Sequence, residues 1–130
     1  MEDRKENSIV RTKAYDFAVE IIKAYKKLSS ERREFILSKQ LLRSGTSIGA
    51  NVNEALSAES KRDFVHKLNI SLKEARETSY WLNLLKDSEF ITNESYLTLH
   101  SSSKELEKIL SKIILTTKER YLRKGEKQQL

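Results

Sequence analysis

Residues 39–55 read Lys39-Gln40-Leu41-Leu42-Arg43-Ser44-Gly45-Thr46-Ser47-Ile48-Gly49-Ala50-Asn51-Val52-Asn53-Glu54-Ala55, and the spacing inside this run decides the fold. Leu41, Leu42, Gly45, Ile48, Gly49, Val52, Ala55 and Leu56 recur at helical spacing and so share one face of a helix. Two of these positions are glycine. An interior glycine costs a helix about 0.5–1 kcal/mol relative to alanine, so something must offset it. Close approach of another backbone, where Gly45 and Gly49 stack four residues apart, is the physical candidate. The periodicity survives both glycines, which favours one continuous helix beginning near Glu31. The competing reading is two shorter helices joined at Ser44-Gly45. Asn51 sits at the edge of the stripe, where a satisfied amide sets the register of a helix contact.

Three more stripes flank this one. Upstream, Ala14, Phe17, Ala18, Ile21, Ile22, Tyr25 and Leu28 alternate with Lys13, Asp16, Glu20, Lys23 and Lys26 on the opposite face. Thr12 is the expected N-cap of that helix, and Ser29-Ser30 its break. Downstream, Ser60 followed by Asp63 forms a capping-box pattern ahead of Phe64, Leu68, Ser71, Leu72, Ala75, Thr78, Ser79, Leu82 and Leu85. Val65, Tyr80, Trp81 and Leu84 lie off that stripe, so the third helix is apolar on more than one face and suited to a partner surface. After Asp87-Ser88-Glu89, Phe90-Ile91 is a hydrophobic staple before a cap at Thr92 or Asn93. The fourth stripe then runs Tyr96, Leu99, Ser103, Leu106, Leu110, Ile113, Ile114, Thr117, Tyr121. Four helices of about 20–25 residues joined by short connections predict an all-α, antiparallel up-down bundle, a rod about 30–38 Å long. The chain divides into a flexible segment 1–11, the bundle domain 12–122 and a basic tail 123–130.

Composition narrows the function classes. The 130 residues are 38% hydrophobic and 34% charged, with three glycines and no proline or cysteine. Without cysteine there is no disulfide scaffold, thiolate metal site or cysteine nucleophile, and the chain suits a reducing cytoplasm. No apolar run approaches a membrane span, and the charged start MEDRKENS is not a signal peptide. His66 and His100 are far apart and lack a ligand cluster, so no metal or cofactor is expected. Glu54, Glu74 and Glu77 lack the Glu-x-x-His pattern of a di-metal bundle, and the hydroxyls of Ser44, Thr46 and Ser47 have no histidine nearby as base. No catalytic residue is assigned.

The net charge is +6, and residues 104–130 alone hold eight Lys/Arg against four Asp/Glu. Lys118, Arg120, Arg123, Lys124 and Lys127 gather around Tyr121, while Arg4, Lys5, Arg11 and Lys13 lie near the start. In an up-down bundle both chain ends fall at one pole, so the two basic groups converge. Clustered cations with a pI of about 9.5 are the footprint of phosphate binding. The bland alternative is a solvated face whose lysines complement helix dipoles.

The run RSGTSIGANVNEA at 43–55 closely resembles the signature of the 23S rRNA-intervening-sequence proteins. The continuation Asp63-Phe64-Val65-His66-Lys67-Leu68, Leu72-Lys73-Glu74-Ala75 and Tyr80-Trp81-Leu82 is similar to that family's third helix. The resemblance, over roughly 12–122, implies a left-handed up-down bundle assembling as a homopentamer, with no established enzymatic activity. It is distantly similar to the accessory variability determinant of diversity-generating retroelements, a basic bundle that binds nucleic acid and a reverse transcriptase.

The combined expectation is a non-catalytic, oligomeric nucleic-acid-binding protein favouring structured RNA over DNA. Arg4, Lys5, Arg11, Lys13, Lys118, Arg120, Arg123 and Lys124 supply charge, and Tyr121 stacks on a base. Gly45, Ile48, Gly49, Asn51, Tyr80, Trp81 and Leu84 serve helix packing or the oligomer. The runner-up is an adaptor or accessory subunit that presents a helical scaffold to a protein partner.

Overall fold

The computed structural model describes the fold of residues 2–122. Helix α1 spans Glu2–Ser30, α2 Leu37–Leu56, α3 Lys61–Asp87 and α4 Asn93–Thr117, followed by a π-helical turn, Lys118–Leu122. There is no strand among the described residues. Each helix packs on its successor and α1 closes the ring against α4, while the diagonal pairs stay apart across the core. This is the antiparallel up-down four-helix bundle predicted from the stripes. No described helix is long and apolar enough to cross a membrane.

The core sits where the stripes meet. Ile21, Leu41, Ile48, Leu68, Leu82, Leu85, Leu106 and Leu110 are fully buried, with each of the four helices contributing. Burying each such side chain contributes about 1.5–3 kcal/mol. Val65 lies off the predicted third stripe yet is buried too, because α3 packs against both α2 and α4.

Two helix starts differ from expectation. Thr12 does not cap α1: the helix begins at Glu2, so the segment 1–11, expected to be flexible and outside the bundle, is helical from Glu2 onward. Val10, at 1% exposure, extends the core stripe one turn ahead of Ala14, and no glycine or proline interrupts residues 2–12. Helix α2 begins at Leu37 rather than near Glu31. The chain first turns through Arg33, whose φ of 52° is left-handed. Glu34 then folds back under the new helix. Its Oε1 accepts from the N–H groups of Ile36 (2.9 Å) and Leu37 (2.7 Å), and its Oε2 from that of Ser38 (3.0 Å). Burial opposes ionisation of this carboxylate, but the N–H donors of Ser38, Leu37 and Ile36 outweigh it and hold the group below the usual glutamate range. The other two caps are as predicted: Ser60 Oγ accepts from Asp63 N–H (3.0 Å), and Thr92 Oγ1 from Ser95 N–H (3.1 Å).

Helix α2 runs unbroken through both glycines. A Cβ at Gly45 would lie 2.8 Å from Cγ1 and Cγ2 of Ile21, so position 45 must be glycine for α1 and α2 to pack as they do. At Gly49 a Cβ would sit 3.5 Å from the Ala14 backbone, an ordinary contact.

Hydroxyls line the α2–α3–α4 interior. Ser71 Oγ donates to the Ile48 carbonyl (2.8 Å), and Thr78 Oγ1 lies 2.9 Å from Ser44 Oγ. Ser79 and Ser103 hydroxyls are 2.9 Å apart, and Ser103 also donates to the Ala75 carbonyl (3.0 Å). Among the described residues every buried side-chain nitrogen or oxygen has a partner.

Candidate nucleic-acid interface

Both described chain ends reach the same pole. Lys112 of α4 pairs with Glu6 of α1 at 3.6 Å. A shallow cleft there is lined by Glu6, Asn7, Lys61, Phe64, Ile113 and Tyr121, bringing together the start of α1, the start of α3 and the end of α4. An up-down chain must do this, since helices one and three leave the pole to which two and four return.

The predicted cations, with Tyr121, divide into four groups. Arg4, Lys5, Arg11 and Lys118 are exposed and make no ion pair among the described residues. Lys13 points along the α1–α4 seam instead and is paired with Glu105, so its charge is partly neutralised. Arg120 and Tyr121 lie on the π-helical turn, both exposed. Arg123 and Lys124, with the rest of the tail 123–130, lie outside the described residues.

Lys61 and Arg62, exposed at the start of α3, join this pole and were not singled out from the sequence. The topology that brought the chain ends together would have found them, had it been applied to the third helix. Lys61 Nζ sits 4.5 Å above the Tyr121 ring centroid, a cation–π contact that ties the π-helical turn to α3. Acidic groups are also present: Asp63 and Glu59 adjoin Ser60, and Glu54 is held by Lys67 at 3.1 Å.

The residues expected at packing or oligomer contacts fall into two sets. Gly45 and Ile48 are buried between α1 and α2, with Gly49 half-buried beside them. Asn51 Nδ2 donates to the Ser47 carbonyl (2.8 Å), a bond within its own helix rather than across a helix contact. Tyr80 is exposed, and Trp81 and Leu84 are half-buried. Trp81 Nε1 donates to Glu77 Oε1 (3.1 Å), and Arg43 reaches across from α2 to both Glu74 and Glu77. The hydrogen bond from Arg43 holds the Glu77 carboxyl below its ordinary range against the opposing effect of burial, with Trp81 adding to it. A second apolar surface was not anticipated. Tyr15, Val19 and Ile22 project from α1, and Tyr15 borders a groove whose other walls include Ala18, Thr46, Gly49, Ala50 and Asn53. Their spacing of four and three was legible, but Tyr15 and Val19 were not singled out.

The histidines stand apart. His66 is exposed. His100 is half-buried and stacked on Tyr96, with centroids 4.8 Å apart. Burial, then the charge of Lys104, lowers its pKa. No three metal-capable side chains converge among the described residues.

Comparison with known proteins agrees with the fold. A solved structure from Bacteroides thetaiotaomicron, described as a protein of unknown function from the S23 ribosomal protein family, is 52% identical. The match covers 84% of this chain and 97% of that one, with a TM-score of 0.83. Comparison with curated proteins gives no match. The model of the 23S rRNA-intervening sequence proteins matches residues 6–112, from the first turns of α1 to the last turns of α4. This chain belongs to the 23S rRNA-intervening sequence protein family.

Proposed function

We propose that the protein is a non-catalytic, homo-oligomeric nucleic-acid-binding protein of the cytoplasm that takes structured RNA, in preference to DNA, by its phosphates. The observation carrying this reading is that Arg4, Lys5 and Lys118, exposed and without ion pairs among the described residues, lie on helix ends that share one pole with Lys61 and Arg62, while the equally exposed Arg11 lines the neighbouring α1–α2 groove. The rRNA connection in the family's name favours RNA. Self-association draws on the Tyr15–Val19–Ile22 surface, three apolar side chains exposed at steps of four and three along α1. The resemblance to pentameric relatives sets the expected copy number at five. Assembly with poles aligned adds the fields of the copies, so a modest charge per chain becomes a strong local potential.

The test is a salt titration of binding to an RNA duplex. Affinity falls steeply between low and moderate salt, and replacing Arg4, Lys5, Arg11 and Lys118 together by glutamine reduces both the affinity and the slope. Affinity that is flat with salt, or unchanged by the four replacements, overturns the reading. Light scattering should give about five times the chain mass of 15.2 kDa, and a monomer overturns the assembly. The same α1 surface also suits the adaptor reading. A protein partner retained after nuclease treatment, and lost on Tyr15→Glu, would favour it.

A further inference from the structure

The outward face of α3 and the adjoining face of α4 carry rings between cations, far from the helix starts that build the basic pole. Lys73, Arg76, Tyr80 and Asn83 follow one another at steps of three and four, so they share a face of α3. The antiparallel partner can be aligned by its cross-contacts. Tyr96 O–H donates to Asn83 Oδ1, Ser79 meets Ser103, and Arg76 meets Glu107. That ladder sets His100, stacked on Tyr96, at the height of Tyr80.

Tyr80 is 55% exposed, and its ring is braced edge-on by Trp81, with centroids 5.1 Å apart at 69°. Trp81 is itself fixed by Glu77 and, through it, by Arg43. An exposed ring held at a set angle is a platform that costs little to order.

Cations outnumber carboxylates on this face: Lys73, Arg76, Lys104 and Lys108 stand against Glu107 and the exposed Asp87, which continues the α3 stripe four residues past Asn83. Glu74 and Glu77 are held by Arg43, and Glu107 alone is shared by Arg76 (3.9 Å) and Lys104 (3.3 Å). Glu107 is also drawn inward, with its Oε2 accepting from Ser79 Oγ at 2.9 Å. Glu105, on the neighbouring turn, is turned to Lys13 of α1. Arg76 and Lys104 remain more than half exposed. Lys73 and Lys108 are exposed as well, and Lys86 lies 4.5 Å from the Tyr96 ring centroid.

We propose that this α3–α4 face binds unpaired nucleotides of a single strand, one base stacking on Tyr80 while Lys73, Arg76 and Lys104 take the flanking phosphates. A duplex hides its base faces, so this surface is selective for loops and unpaired segments, whereas the basic pole takes phosphates of either form. The inference rests on the nucleic-acid-binding reading and deepens it by adding the form of nucleic acid recognised.

The experiment compares a 12-nucleotide oligouridine with a 12-base-pair RNA duplex, using the full chain. Trp81 is the sole tryptophan, so its fluorescence reports on the ring beside it. The oligouridine quenches that fluorescence. Tyr80→Ala weakens oligouridine binding about tenfold, Tyr80→Phe stays within about twofold, and duplex binding is unchanged by either. The two ideas fail differently. Retained duplex binding with no effect of Tyr80→Ala on oligouridine overturns this inference alone. An equal loss for both RNAs overturns it too, as does a change of molecular mass on Tyr80→Ala, which would make the face a contact between copies. If neither RNA binds at low salt, the broader reading falls with it. Tyr80 projects into solvent, and unchanged helical circular dichroism in Tyr80→Ala verifies that the fold survives.

Discussion

Along α2, helix α1 lies almost against bare backbone: Gly45 admits Ile21, Gly49 faces Ala14, and Glu34 clamps the connection beneath. Along α4, the same helix is tied at its surface by Lys13 to Glu105 and by Glu6 to Lys112. Near the end of that second seam the helices part around a groove of about 620 Å³, with Ala24, Leu28, Phe90, Ile91 and Leu99 in its walls. The contrast shows where specificity resides in this bundle. Close approach demands a missing side chain and leaves a mark in the sequence, whereas a seam of exposed ion pairs adds little, typically about 0–1 kcal/mol per pair.

Substitution at Gly45 should break the contrast most strongly. Gly45→Ala drives a methyl into Ile21, a fully buried neighbour, and should cost about 2–3 kcal/mol in urea unfolding. Ile21→Ala is itself destabilising, yet combining it with Gly45→Ala should cost less than the sum of the two, which a double-mutant cycle would measure. Gly49→Ala, only four residues away, should instead leave stability unchanged or raise it by about 0.5–1 kcal/mol. Equal losses at the two glycines would erase the distinction drawn here.

The clamp beneath this seam comes next. Glu34→Gln replaces an acceptor of three backbone N–H groups and should cost about 1–2 kcal/mol at neutral pH. Its folded pKa is depressed. The carboxylate's contribution is therefore complete above the unfolded value of about 4.3 and is lost as pH falls through the lower folded value. Acid unfolding curves for wild type and Glu34→Gln should accordingly converge below about pH 4. The smallest effect belongs to the other seam: Lys13→Ala should change stability by less than about 0.5 kcal/mol, and added salt should remove even that difference.

Much of this was legible because it is periodic. The four stripes, the Ser60 cap and the demand for close approach at Gly45 follow from spacing and side-chain size. The start of α2 was not, because Glu34 is not among the short residues that usually cap and acts only after Arg33 has turned the chain. The start of α1 was missed because its first turns are polar outside, and only burial of Val10 ties them to the core. For the candidate interface, topology foretold that Arg4 and Lys118 would share a pole. Pairing of Lys13 with Glu105 depends on which way a long side chain points, and no spacing rule supplies that. The bracing of Tyr80 by Trp81, Glu77 and Arg43 joins two helices and becomes visible only once they are packed.

The buried hydroxyls have a mechanical corollary. Oils slide past one another freely, and a purely aliphatic bundle can creep by a turn at modest cost. Here Ser71 and Ser103 find their carbonyl acceptors, on α2 and α3, at one alignment of α3 with its neighbours, and a slip would strand both at about 1–3 kcal/mol apiece, while Thr78 and Ser79 keep acceptors within their own helix. The rod is therefore keyed to one register of α3 against its neighbours rather than free to creep.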